Sequence, residues 1–350
     1  MFIGELISLG VAVSWTVTAL FAEVASKRMG SLPLNVVRMT MSLTLLVLTL
    51  WLTMGVPWPR YADGGTWLWL LLSGVVGYVI GDYCLMQGYI YIGSRFGQLF
   101  MTLSAPTAAL TGRLLLGEEM RPLAIVGMVV TLVGIALSIL SGGKGDAESG
   151  KRKAEGGGML EGSDSRTSRM PHSTLRLKLP SRGVFFAAVA GICQGFGLVL
   201  SKIGLQHYDA ALAVAGVSDR MVPDGAVLPL PLYLSVPFAA TMIRATVGLA
   251  GFFLLLVVFN RDWQAKLGHA VHDRRAMWCV LGATVFGPFI GVSASLLATQ
   301  YTSAGIAQTL FALTPVLIIA PSAWLFRQRV SAREVVGAIV SVIGVALFFI

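Results

Sequence analysis

Two stretches of this chain repeat each other at one fixed offset. Gly77, Ile80, Gly81, Tyr91 and Gln98 recur 210 residues later as Gly287, Ile290, Gly291, Tyr301 and Gln308. After a one-residue slip near Pro106 and Pro315 the offset resumes. VGMVVTLVGIAL, from Val126 to Leu137, then matches VGAIVSVIGVAL, from Val336 to Leu347. Each copy lies in strongly apolar sequence. If each holds an odd number of membrane spans, the second copy must enter the bilayer upside down relative to the first. Many secondary transporters are built from inverted repeats of this kind.

Composition agrees with a membrane location. Hydrophobic residues make up 55% of the chain and charged residues 12%, with a mean hydropathy of +0.77. A soluble domain carries about 25% charge, and runs of roughly 20 apolar residues are long enough to span a bilayer. The chain is therefore expected to be an all-α integral membrane protein with ten transmembrane helices in two inverted five-helix repeats. The expected helices are 3–27, 34–55, 66–91, 95–116 and 122–141 in the first repeat. Those of the second are 183–204, 238–259, 275–300, 303–326 and 332–350. The net charge of +9 sits in loops and accompanies no nucleic-acid motif. Cys84, Cys193 and Cys279 lie in apolar runs without metal-ligand spacing and read as packing residues. His269 and His272 share a charged loop and read as a solvated pair. Helix one has no basic n-region, so it is not expected to be a cleaved signal peptide.

The expected domains are a first repeat (1–141), a flexible basic linker (142–182) and a second repeat (183–350). The linker is rich in Gly and Ser and contains KRK at 151–153. It reads as a tether, or as a patch for anionic lipid. The second repeat carries an insertion, 206–237, expected to form a short surface helix and an extended return. It is either a lid or an inert addition.

Loop charges set an orientation. One side holds Lys27, Arg28, Arg95, the linker cations, Arg261, Lys266, Arg274, Arg275, Arg327, Arg329 and Arg333. The other holds Arg60, Arg113, Arg121 and Arg220. The positive-inside rule makes the first side cytoplasmic. Both termini then face away from the cytoplasm, in what is expected to be a bacterial inner membrane. The loops after helices four and nine, GEEMR and RQRVSAR, are equivalent in the repeat and opposite in charge, as inverted copies should be.

The repeat endings resemble a known family. LLLGEEMRPLAIVGMVVTLVGIAL (114–137), the Trp15–Glu23 stretch and NVVRMTMSL (35–43) look like parts of the EamA domain of the drug/metabolite transporter superfamily. The resemblance covers nearly the whole chain as two tandem domains. It implies a ten-helix metabolite transporter or exporter with a central cavity. The chain departs from the family pattern in three places. Arg327-Gln328-Arg329 stands where a Gly-Glu pair would fall, and Glu23 stands where Lys is frequent. The charge count also gives an orientation opposite to the family's usual cytoplasmic termini.

Ionisable residues in the hydrocarbon cost roughly 2.5–3.5 kcal/mol on insertion scales, so each needs a reason. Glu23 in helix one matches Lys202 in helix six when Trp15 is aligned with Gln194. Arg38 in VVRMT matches Arg244 in MIRAT. Asp82 has no counterpart, because Val292 holds that place. One reading makes Glu23 and Arg38 a buried ion pair and lets Lys202 and Arg244 snorkel to the interface. The other puts these charges along a vestibule, where acids in one half and bases in the other would suit a zwitterion. Asp82 could take up a proton in a coupled carrier, or be held by Arg or Tyr donors without a transport role. Tyr78, Asp82 and Tyr89 share one helical stripe, with Tyr83 and Gln87 on the next. Gln98, Gln308, Gln194 and Gln300 lie within spans as substrate contacts or as helix-to-helix glue, and Trp15 could form an aromatic wall. Pro106, Pro288 and Pro315 fall within spans as kinks and candidate hinges.

The function expected is secondary-active transport, with export of a small polar metabolite such as an amino acid by alternating access through a central cavity, possible coupling to protons, and no cofactor. Nothing resembles a nucleotide-binding loop, a metal-ligand set, a nucleophile elbow or paired catalytic carboxylates, so an enzyme is not expected. The rival is a non-transporting scaffold or a lipid-handling subunit of an envelope-modifying system. The substrate's identity and the oligomeric state are not written in the sequence.

Overall fold

The computed structural model describes residues 2–137, 180–217, 232–319, 321 and 332–347. Nearly all of the expected linker lies outside these residues, as do Arg327, Arg329 and the 218–231 part of the expected insertion. In a bilayer every backbone polar group must be satisfied within the protein, and a helix does this inside one segment. The apolar runs accordingly form helices, and no strand occurs among the described residues.

The first repeat contains α1 (Ile3–Met29), α2 (Ser31–Met54), α3 (Gly64–Ser94), α4 (Phe96–Leu116) and α5 (Pro122–Leu137). The second contains α6 (Ser181–Val214), α7 (Leu232–Phe259), the short α8 (Trp263–His272), α9 (Arg274–Tyr301), α10 (Ala304–Leu317) and α11 (Ala332–Ala346). Seven of these, α1, α2, α3, α4, α6, α7 and α9, are long and apolar enough to cross a membrane. The other three of the ten expected spans, α5, α10 and α11, are apolar but shorter as described. A single glycine, Gly30, joins α1 to α2, and another, Gly93, kinks the chain at the end of α3 just before α4. Gly30 (φ 82°, ψ 163°) and Gly93 (φ 77°, ψ 165°) adopt a conformation that a Cβ would strain.

Two expectations need correction. The charged loop holding His269 and His272 is the ten-residue helix α8. The insertion does not begin with a separate surface helix. Instead α6 continues without a break to Val214, 34 residues in all. At 1.5 Å per residue it is about 51 Å long, against a hydrocarbon core of about 30 Å. Its last turns pack on the α2–α3 connection, where the Tyr208 hydroxyl donates to the Arg60 carbonyl at 2.7 Å. At the other end of the insertion, Pro237 lies inside α7.

Contacts between the repeats run antiparallel and repeat themselves. A Cβ on Gly197 would lie 3.2 Å from the Gly77 Cα, and one on Gly287 would lie 3.0 Å from Thr18 Cγ2. Gly81 similarly faces Cys193, and Gly291 faces Ser14. These are equivalent pairs under the repeat alignment. The ladders in α5 and α11 make the same point. Gly134 packs on the backbone of Ser341, Gly344 packs on that of Thr131, and Ser341 Oγ donates to the Thr131 carbonyl. Equivalent helices that pack head to tail need an in-plane pseudo-twofold axis, which is the geometry of an inverted repeat. Small residues allow this close approach, because apolar burial alone does not drive helices together in lipid. Large side chains such as Leu52, Leu68, Leu114, Val258 and Phe259 are exposed on the outside.

Helix irregularities also obey the repeat. α3 is π-helical over Val75–Asp82, and α9 over Val285–Phe289, which contains Pro288. The starts of these segments lie 210 residues apart. α4 is interrupted at Thr102–Leu103 and α10 at Ala312–Leu313, again at that offset. Pro106 and Pro315 therefore do not bend unbroken helices. Each follows its interruption within the first turn, where a missing N–H costs little.

Candidate functional site: a cavity between the repeats

The π segment of α3, the stretch of α9 after its own π segment, and the turns around the interruptions of α4 and α10 border a cavity of about 60 Å³. That volume holds a few waters. Trp15 from α1, Tyr78 from α3, Gln98 and Ser104 from α4, and Gln194 from α6 line it. So do Arg244 from α7, Val292 and Ser295 from α9, and Gln308 and Thr314 from α10. Leu85, Met101, Leu198, Phe311 and Ala312 complete the wall with apolar surface, and each repeat supplies part of it.

Behind the wall lies a buried ion pair. Arg38, 1% exposed, donates from Nη2 to Asp82 Oδ2, and Asp82 is 2% exposed. Gln194 Nε2 donates to the other Asp82 oxygen at 2.8 Å and to the Gly77 carbonyl at 3.2 Å. Both carboxylate oxygens are therefore engaged, as a charge in this setting requires. Gln194 joins this pair to the cavity, whereas Asp82 is not on the cavity surface. The Gly77 carbonyl belongs to the π segment of α3. In the other repeat, Ser14 Oγ donates to the Phe286 carbonyl at 2.6 Å, within the π segment of α9. Each π segment is thus served by a polar side chain from the first helix of the opposite repeat.

Arg244 is the counterpart of Arg38 but has a different environment. It is 4% exposed, with its guanidinium 5.0 Å from the Tyr78 ring centroid. No carboxylate among the described residues forms an ion pair with it; its Nε, like that of Arg38, has no hydrogen-bond partner. It does not snorkel to an interface. Gln98 Nε2 lies 2.5 Å from the Tyr89 hydroxyl. Gln308 Oε1 accepts from Ser104 Oγ at 3.2 Å, and its Nε2 donates to the Gln194 carbonyl at 3.4 Å. Both glutamines occupy the turn before a helix interruption.

Glu23 and Lys202 lie away from the cavity, at opposite ends of the molecule. Glu23 does not pair with Arg38. Its Oε1 is 2.5 Å from Lys27 Nζ, and its Oε2 accepts from Ser94 N at 3.1 Å and from the Ser94 hydroxyl. A carboxylate there meets the positive end of α4. Lys202 Nζ lies 2.5 Å from Glu118 Oε1 and donates to the Thr302 carbonyl at 2.9 Å. Glu118 Oε2 accepts from Ala304 N at 3.0 Å, at the start of α10. Ser94 and Ala304 are equivalent, so Glu118 performs for α10 what Glu23 performs for α4. Reading the sequence for intramembrane charges overlooked Glu118, because GEE at 117–119 sits in a loop. Its one signal was the contrast with RQR in the other repeat.

Tyr83 and Gln87 also lie off the cavity. Gln87 donates to the Tyr83 hydroxyl at 3.3 Å, and Tyr83 meets Phe186 edge-on. Gln87 borders a separate recess of about 680 Å³ with Arg28, Lys266, His269 and Asp273, at the Lys27 end of the molecule. Among the described residues no cluster of His, Cys, Asp and Glu could hold a metal.

An all-helical multi-pass membrane protein with a cavity at the repeat interface is the class that this architecture defines. The model of the EamA-like transporter family matches residues 2–140 and 232–350, and the chain belongs to that family of membrane transporters. A solved crystal structure superposes with a TM-score of 0.59 at 16% identity, covering 99% of this chain and 95% of its own. At that identity the likeness is one of fold. No curated protein matches the sequence.

Proposed function

We propose that this transporter is a secondary-active carrier that moves a small polar metabolite, of the amino acid class, out of the cytoplasm by alternating access. The observation that carries this reading is the central cavity with its few convergent polar side chains, flanked at either end by a comparable carboxylate–helix contact, Glu23 on α4 and Glu118 on α10. Releasing one contact while the other holds would open the cavity to one side at a time. The interruptions before Pro106 and Pro315, and the π segment around Pro288, are the hinges proposed for this motion. They can change length and direction with few hydrogen bonds lost. Trp15, Tyr78, Gln98, Gln308 and Arg244 are the proposed substrate contacts. Asp82 is the proposed coupling acid. A proton there would release Arg38, and Gln194 would carry the change to the cavity wall. Lys27, Arg28 and Arg261 are proposed to face the cytoplasm of a bacterial inner membrane.

The test is flux in proteoliposomes over a metabolite panel, with and without a pH gradient, for wild type and Asp82→Asn. Wild type is expected to carry at least one polar metabolite, and the gradient is expected to accelerate it in wild type only. Absence of flux for every compound would refute the carrier reading and favour a scaffold. An equal gradient response in the variant would remove the proton from Asp82.

A further inference from the structure

The repeat places an acid in contact with one buried arginine and not with the other, which feels Asp82 only at longer range. Arg38 reaches Asp82 on α3, and Gly287 of α9 lies beside its guanidinium. Arg244 lies against Gly77, the counterpart of Gly287. The residue of α9 that corresponds to Asp82 is Val292. Val292 and Arg244 both line the central cavity. The position where a balancing carboxylate would stand is therefore occupied by an apolar side chain and cavity space. An unpaired buried charge is costly, whereas a buried pair satisfied by hydrogen bonds is tolerated.

We infer that Arg244 is the anion-docking residue of the cavity, and that the substrate's own carboxylate or phosphate takes the place of the acid missing at Val292. This rests on the carrier reading above and adds a chemical class to its substrate. A guanidinium suits the role because its planar fork binds such oxyanions in two-point fashion. Tyr78, under the guanidinium, keeps the cation in place through its ring face and offers no competing negative charge. The Gln98 and Gln308 amides and the Ser104 and Ser295 hydroxyls supply neutral donors and acceptors for the remainder of a polar molecule. Arg38 cannot serve as the dock, since Asp82 already occupies it.

The experiment uses the purified full chain and a panel of oxyanion-bearing solutes: acetate, lactate, zwitterionic leucine and inorganic phosphate, with acetamide, lactamide and leucinamide as controls that lack the carboxylate. Thermal stabilisation reads binding, and proteoliposome flux reads transport. At least one anion is expected to stabilise the wild type, with at least tenfold weaker binding for its amide control or, for phosphate, in Arg244→Gln. Whether carboxylates or phosphate act tells the two sources apart. Arg244→Lys should retain part of the effect. Val292→Asp should supply the missing acid within the chain. It is expected to match or exceed the wild type in melting temperature and to lose anion binding and flux at least tenfold, whereas Val292→Asn keeps most of both. That variant tests the idea even if Arg244→Gln folds poorly. Equal binding of acid and amide, or equal anion binding by Val292→Asp and Val292→Asn, would overturn the inference, as would no stabilisation by any anion. Anion stabilisation without flux would support the dock while counting against the carrier reading, so the two can fail separately.

Discussion

Arg38 and Asp82 are 44 residues apart in the chain and hydrogen-bonded in the protein interior. Breaking such a pair from one side leaves the other charge buried, at a cost of about 3–5 kcal/mol. Arg38→Met and Asp82→Asn should each destabilise by that order in reversible unfolding from mixed micelles. The double variant should recover much of the loss. Additive losses would mean that the pair is not coupled. A milder test lies at the surface. Arg28 Nε donates to Asp273 Oδ2 at 2.8 Å, and that bond chiefly holds the Asp273 carboxyl below its ordinary range. A carboxyl lowered on folding contributes stability above its unfolded pKa and loses it as pH falls through the folded value. The melting-temperature difference between wild type and Asp273→Asn should therefore be constant from neutral pH down to about 5 and shrink below about pH 4. The charges themselves were legible, since an ionisable residue within an apolar run announces itself. Their partners were not. Whether Arg38 turns to Glu23 or to Asp82 depends on how the helices rotate and pack.

Helices were the most legible level, because a run of about 20 apolar residues admits few other structures. Their interruptions were partly legible. Pro288 marked the π segment of α9, but no proline marks its equivalent in α3. Pro106 and Pro315 follow their breaks rather than making them. The length of α6 and the existence of α8 were missed, because neither HYDAALAV nor WQAKLGHAVH is apolar enough to stand out beside the spans. Glycine ladders did foretell close packing, and α5 against α11 can test it. A Cβ on Gly134 would come within 2.5 Å of the Ser341 backbone, as would one on Gly344 with Thr131. Neither neighbour is a flexible side-chain tip. Gly134→Val and Gly344→Val should each cost about 1–3 kcal/mol, visible as a lower unfolding midpoint. An unchanged midpoint would mean that this helix pair separates easily.

For the molecule as a whole, the prediction is a pattern of cross-links. Head-to-tail packing of α5 and α11 brings Gly127 to Gly344 and keeps it from its own equivalent, Gly337. With Cys84, Cys193 and Cys279 replaced, the pair Gly127→Cys and Gly344→Cys should form an intrachain disulfide under mild oxidation. Gly127→Cys with Gly337→Cys should not. The reverse result would make the repeats parallel. Accessibility of a tag at the amino terminus then tests the charge count, which expects it outside the cytoplasm.

Periodicity and apolarity are local properties of a chain. They point to the spans and to an inverted repeat, because a bilayer leaves so few ways to satisfy a backbone. Which charges meet is a different matter. It depends on helix rotation, on π segments that shift the register, and on contacts between residues as distant as Glu118 and Ala304. Those long-range contacts put Asp82 behind the wall, Glu23 and Lys202 at the ends, and Arg244 in the cavity with no acid in contact.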